Sequence, residues 1–164
     1  MIKVVAVLAS GGTGAAVDLY TRRVPNALTL SAAALGIIVA ATGIGDVSAR
    51  AALLGFLIGF VLMLPGHLLG GTGGGDVKLM AALGAWLGPS MIVKAFLYSA
   101  VAGGVLALAV AAQRRRVGPT VRGVGRLIAT PVTARHDVTA AGADNRFPYA
   151  PAIATGSLLV VLGF

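Results

Sequence analysis

The chain of 164 residues has no cysteine and no glutamate, and aspartate supplies all five of its acidic side chains. Without cysteine there are no disulfides and no thiolate zinc sites, and the redox compartment stays open. The two histidines, His67 and His136, are too few for a histidine-rich metal centre or a His-x-x-x-His metalloprotease helix. Charge is scarce as well. Charged residues make up 11% of the chain and hydrophobic ones 57%, with a mean hydropathy of +0.93. Soluble domains carry about 25% charged residues. A chain of this size with so little charge has no polar surface to present to water on all sides. It reads as a single unit, residues 1–164, that crosses a membrane several times.

Six apolar segments follow one another, over about 2–17, 28–44, 49–66, 77–88, 90–112 and 148–163. They are rich in Ala, Leu, Gly and Val and lack the strict alternation of barrel strands, which predicts an all-α polytopic fold of about six transmembrane helices. The first segment also fits a signal peptide, since Ala15 and Ala16 are small, but the regular apolar runs that follow favour a first span. The fourth segment, VKLMAALGAWLG, is short for a bilayer. It either continues upstream through the glycines or is a half-span, and Gly88-Pro89 predicts a break before the fifth.

The basic residues give the direction. With six spans and the N-terminus outside, ten of the thirteen Lys and Arg fall in or beside segments 18–27, 67–76 and 113–147, which places these on the cytoplasmic face. Lys3, Asp46 and Arg50 then lie outside, and Lys94 lies within the fifth segment. The net charge of +8 is therefore a feature of one face, suited to anionic lipid rather than to nucleic acid. Within the basic loop 113–147, VRGVGRLIATPV has the character of a short interfacial helix, and His136-Asp137 reads as a solvated pair with no nucleophile beside it.

Two acids remain. Asp18 ends the first segment and Asp76 begins the fourth, so the topology puts both carboxylates at one membrane depth on the cytoplasmic side. Ionisable groups at such depth are costly and usually functional. Two carboxylates that approach closely cannot both ionise easily, so one holds a proton while the other stays charged. Such a pair can activate water and polarise a peptide carbonyl without a metal or cofactor. The same acids also suit a small proton-coupled transporter. Structural readings stand beside both: Asp18 paired with Arg22 and Arg23, and Asp76 capping a helix that starts at Val77. The run GTGGGD is no phosphate loop, since Gly-Lys-Ser/Thr is missing, and it lacks the context of a dinucleotide site.

Two longer motifs add a resemblance. DLYTRRVPNALTL resembles the first aspartate segment of the type IV prepilin peptidases, and GGGDVKLMAALGAWLG resembles their Gly-x-Gly-Asp segment. In size the chain is similar to the short peptidases of tight-adherence (Flp-type) pilus systems. The resemblance implies that Asp18 and Asp76 are catalytic. It also implies that Gly73 and Gly75 are the motif glycines, and that Arg23, Pro25, Asn26 and Lys78 are their companions. A third patch, FPYAPAIATG, resembles the family's C-terminal segment, with Ala150 where glycine is usual. The implied activity is aspartic endopeptidase cleavage of a prepilin or pseudopilin precursor at the inner membrane. Longer relatives carry a cysteine-paired insert that resembles a zinc site, and some methylate the new N-terminus. This chain has no cysteine and no room between its first two segments, so the resemblance is to a peptidase-only form and methylation is not expected.

Overall fold

The structure, a computed structural model, describes residues 2–21, 25–69, 72–113 and 149–163. Among them there are helices and no strand. The first rod begins as α1 (Ile2–Val7), passes through one π-helical turn (Leu8–Gly12), and continues as α2 (Thr13–Thr21). Gly11 brings that wide turn into van der Waals contact with Ala154 of the last helix. Pro25, at φ −61° and ψ 138°, precedes α3 (Asn26–Ala41). Its ring fixes φ and it has no N–H to leave unpaired, which suits a helix entrance. Helix α4 (Ala49–Leu68) starts at Ser48, whose hydroxyl accepts the Ala51 N–H at 3.3 Å.

Helix α5 (Gly74–Gln113) contains a break at Gly88, where φ is 77° and ψ 177°. Only glycine takes that φ readily, and Pro89 cannot continue the preceding hydrogen-bond ladder. The chain reverses there. In the first arm, 74–87, Gly84 meets Gly55 and Met80 meets Gly59, so this arm runs antiparallel to α4. In the second arm, 89–113, Gly103 lies under the Tyr149 ring while Ala95 and Ser99 meet Gly156. That arm therefore runs antiparallel to α6 (Ala150–Val161). The break expected at Gly88-Pro89 is present, and the fourth segment does reach back into the glycines.

The first arm of α5 is the centre of the bundle. Leu79, Met80, Leu83, Ala81 and Ala82 have no accessible surface, and Ile92 and Ile153 close the same core from the second arm and α6. From Leu79 to Leu87 this arm is apolar on all sides because protein surrounds it. The Trp86 indole N–H donates to the Ala32 carbonyl at 2.8 Å and ties α3 to it. By contrast Leu53, Leu54, Leu57, Val61, Val101, Val105 and Leu108 point outward. Ile2–Tyr20, Ala49–Leu68 and Gly74–Val110 are long and apolar enough to cross a membrane, the last of them folded back at Gly88. The fold is that of an all-helical, multi-pass membrane protein.

The two ends of the bundle differ. At one end Lys3 pairs with Asp46 at 3.7 Å and Val47 packs over Gly88. At the other end the C-termini of α2 and α4 meet the N-termini of α3, α5 and α6. Arg22, Arg23 and residues 114–148, where the interfacial helix is expected and the His136-Asp137 pair lies, are outside the described residues.

Candidate active site

Asp18 and Asp76 come together at this second end. Gly14 of α2 lies against Leu79 of α5, with the leucine methyls about where a Cβ would reach (3.1 and 3.2 Å). Asp18 is one helical turn beyond Gly14, and Asp76 is one turn before Leu79. Moving a turn from that contact toward the same end brings the two carboxylates to a common site, where Asp76 lies in the electrostatic field of Asp18. Both are nearly enclosed, at 6% and 5% relative exposure.

Each carboxylate has one oxygen held by a backbone amide. Asp18 Oδ2 accepts the Ala150 N–H at 3.3 Å. That amide opens α6 and has no partner within its own helix. A carboxylate from another helix thus meets the positive end of the α6 dipole. The Ala150 side chain is fully buried, and its contribution here is its N–H. Alanine in place of the usual glycine leaves that donor intact.

Asp76 Oδ2 accepts the Gly73 N–H at 2.9 Å, while the Gly73 carbonyl accepts from the Asp76 and Val77 amides at 3.1 and 3.4 Å. This is one half of a capping box, an acid in the third helical position reaching back to the N-cap amide, with the Gly73 carbonyl in place of an N-cap side chain. The expected capping role is therefore real, but the helix it caps starts at Gly74 rather than Val77. A Cβ at Gly73 would stand 3.2 Å from Asp76 Oδ2, a tight approach that would shift the carboxylate by a few tenths of an ångström. Gly75 lies in the first turn, immediately before the acid.

The companion residues fall into place around this pair. Lys78 Nζ donates to Asn26 Oδ1 at 2.8 Å, so the segment after Pro25 is bound to the segment after Asp76. Arg23 lies outside the described residues. Tyr149 stands beside Ala150, within the field of Asp76, and its hydroxyl donates to the Ser99 carbonyl at 3.1 Å. Among the described residues neither Asp18 nor Asp76 has an ion-pair partner, and no three His, Asp or Glu side chains converge as metal ligands would.

One neighbour was not singled out by sequence. His67, in the last turn of α4, hydrogen-bonds through Nδ1 to the Thr72 carbonyl at 3.1 Å and its ring abuts Gly74. The available signal was position: a lone histidine six residues before a Gly-x-Gly-Asp run at the same membrane boundary.

Comparison with known proteins agrees with these motifs. The profile of the type IV leader peptidase family matches residues 5–108, which include both aspartates. A prepilin leader peptidase/N-methyltransferase of Burkholderia pseudomallei (strain 1026b) is 40% identical over 100 residues, covering 57% of this chain and 32% of the relative. The proteins of that name from Neisseria gonorrhoeae and Bacillus subtilis (strain 168) are 35% and 32% identical, over 70% and 68% of this chain and 43% and 36% of their own lengths. The aligned regions thus span about a third to two-fifths of these relatives. No solved structure matches the chain. With a family profile spanning well over half of its length, the chain belongs to the type IV leader peptidase family.

Proposed function

We propose that this protein is an aspartic endopeptidase that removes the leader from type IV prepilin-like precursors, with Asp18 and Asp76 as its catalytic pair. The observation that carries this reading is the meeting of two nearly buried carboxylates, from separate helices, at one end of a bundle in a leader peptidase family member. The pair shares one proton, because two close carboxylates in a low-dielectric site cannot both carry charge cheaply. The ionised member takes a proton from water as the water oxygen attacks the scissile carbonyl. The protonated member donates to the carbonyl oxygen. Collapse of the tetrahedral intermediate breaks the C–N bond, and the proton taken from water passes to the leaving amine. With Oδ2 of each acid held by an amide, Oδ1 is the atom left to exchange protons.

The site belongs at the cytoplasmic face of the inner membrane. Among the described residues, helical rods at 2–21, 26–41, 49–68, 74–87, 89–113 and 150–161 coincide with the six apolar segments, and a reading of six crossings with the N-terminus outside puts most Lys and Arg on the aspartate side. The precursor's short leader stays on that side and its apolar helix lies in the bilayer. The family match gives the transporter reading no support.

The test is cleavage of a co-expressed precursor having a short basic leader, a terminal leader glycine and an apolar helix. Asp18→Asn and Asp76→Asn should each abolish cleavage while the protein still inserts in the membrane. Wild-type cleavage by both variants would refute the mechanism. The mass of the product N-terminus shows whether methylation follows.

A further inference from the structure

Asp76 is held by an amide that is itself held. The chain leaving α4 returns to the bundle end at Thr72, whose N–H donates to the Gly66 carbonyl at 3.3 Å. The Thr72 carbonyl then meets His67 Nδ1 at 3.1 Å. A carbonyl only accepts, so Nδ1 is the nitrogen that carries the hydrogen. The next amide is Gly73 N–H, which donates to Asp76 Oδ2 at 2.9 Å. Thr72 C=O and Gly73 N–H are the two ends of one planar peptide unit.

We propose that His67 is a positioning residue for Asp76, acting through this single peptide unit as a relay: His67 Nδ1–H to Thr72 C=O, and Gly73 N–H to Asp76 Oδ2. The proposal rests on the reading of Asp76 as catalytic. A hydrogen bond received at the carbonyl polarises the amide and strengthens donation from its N–H. It also fixes the plane of the peptide, and with it the direction from which the carboxylate is gripped. Without that grip, Gly73 and Gly74 leave the backbone ahead of Asp76 with unusually wide conformational freedom.

Two observations separate this from ordinary packing. His67 is exposed, so it fills no core volume. A histidine in the last turn of a helix commonly serves the carbonyls of that helix, but here the imidazole reaches out of α4 to the segment entering α5. Its ring also lies on Gly74, where a Cβ would stand 3.5 Å from Cε1 and 3.8 Å from Nε2. The imidazole therefore lies beside the first turn of α5, at ordinary van der Waals range from the glycine between the two motif glycines.

The experiment uses the full chain in detergent, with a purified precursor of the composition given above. His67→Ala should lower kcat by about five- to tenfold, the worth of one hydrogen bond, and leave KM unchanged. His67→Asn, whose side-chain amide presents a donor near the position of Nδ1, should recover most of that loss. In parallel, hydrogen exchange at the Gly73 amide of 15N-labelled protein should quicken by about the same factor in His67→Ala and not in His67→Asn. Unchanged Gly73 exchange in His67→Ala would overturn the relay, whatever happens to cleavage. A rise in KM alone would also overturn it, because that would make His67 a substrate contact. Failure of the wild-type protein to cleave the precursor would refute the peptidase reading instead, and the exchange arm would still decide the relay.

Discussion

The Lys78 ammonium donates to the side-chain oxygen of Asn26 at 2.8 Å, joining two motif segments that lie 52 positions apart in the chain. One segment follows Asp18 and opens α3, and the other follows Asp76 and opens α5. The bond therefore bears on the spacing of the two aspartates while touching neither. Both side chains are exposed, so its contribution to global stability is small. Its expected effect is on geometry. Lys78→Met and Asn26→Ala should each slow precursor cleavage by about two- to fivefold. The double variant should be no slower than the worse single one, because both remove the same link. Cleavage rates for the four proteins complete the cycle, and independent, multiplying losses would show that the contact is not shared.

Asp76 has a structural duty that can be separated from its chemistry. Its carboxylate caps the start of α5 by accepting the Gly73 N–H. Asp76→Ala should lose that cap and cost about 1 kcal/mol of stability. Asp76→Asn retains an acceptor oxygen for the same amide and should unfold close to wild type. Both should be inactive as peptidases. Thermal unfolding in detergent should rank wild type and Asp76→Asn together, with Asp76→Ala below. If Asp76→Ala is as stable as wild type, the cap contributes nothing.

Scarcity makes the aspartate pair legible in the sequence. Five acids in a long apolar chain leave few candidates, and span counting from Lys and Arg put Asp18 and Asp76 at one boundary. The turn at Gly88-Pro89 was legible because glycine and proline act locally there. Other features depend on residues far apart in the chain. The start of α5 lies three residues earlier than the apolar pattern indicated, because Asp76 reaches back to Gly73 and recruits glycines that otherwise disfavour helix. The fourth apolar segment is short because α5 folds back at Gly88, at the end of the bundle where Val47 packs over it. Asp46 pairs with Lys3 from the start of α1, 43 positions away in the chain. The roles of His67 and the Ala150 amide rest on contacts between the ends of different helices, and no local pattern encodes them.

The packing that holds α5 in place turns on Gly55 and Gly84. These two glycines face one another where α4 crosses the first arm of α5, and a Cβ on either would overlap the backbone carbonyl of the other. Gly59, one turn along α4, also lies close to Met80, with a Cβ position 2.6 Å from its carbonyl oxygen. Small residues four apart let helix backbones approach closely where the surrounding lipid supplies no hydrophobic drive for association. Backbone cannot swing aside as a side chain does, so Gly55→Ala or Gly84→Ala must push the helices apart. Overpacking of this kind costs about 1–3 kcal/mol. It would also tilt the arm that carries Asp76. Gly12→Ala and Gly104→Ala provide the contrast, since nothing lies within 4 Å of a Cβ at either position. The first pair should lower both the thermal midpoint in detergent and precursor cleavage, and the second pair should leave both near wild type. Equal tolerance at all four positions would show that the α4–α5 contact is looser than a glycine-to-glycine crossing.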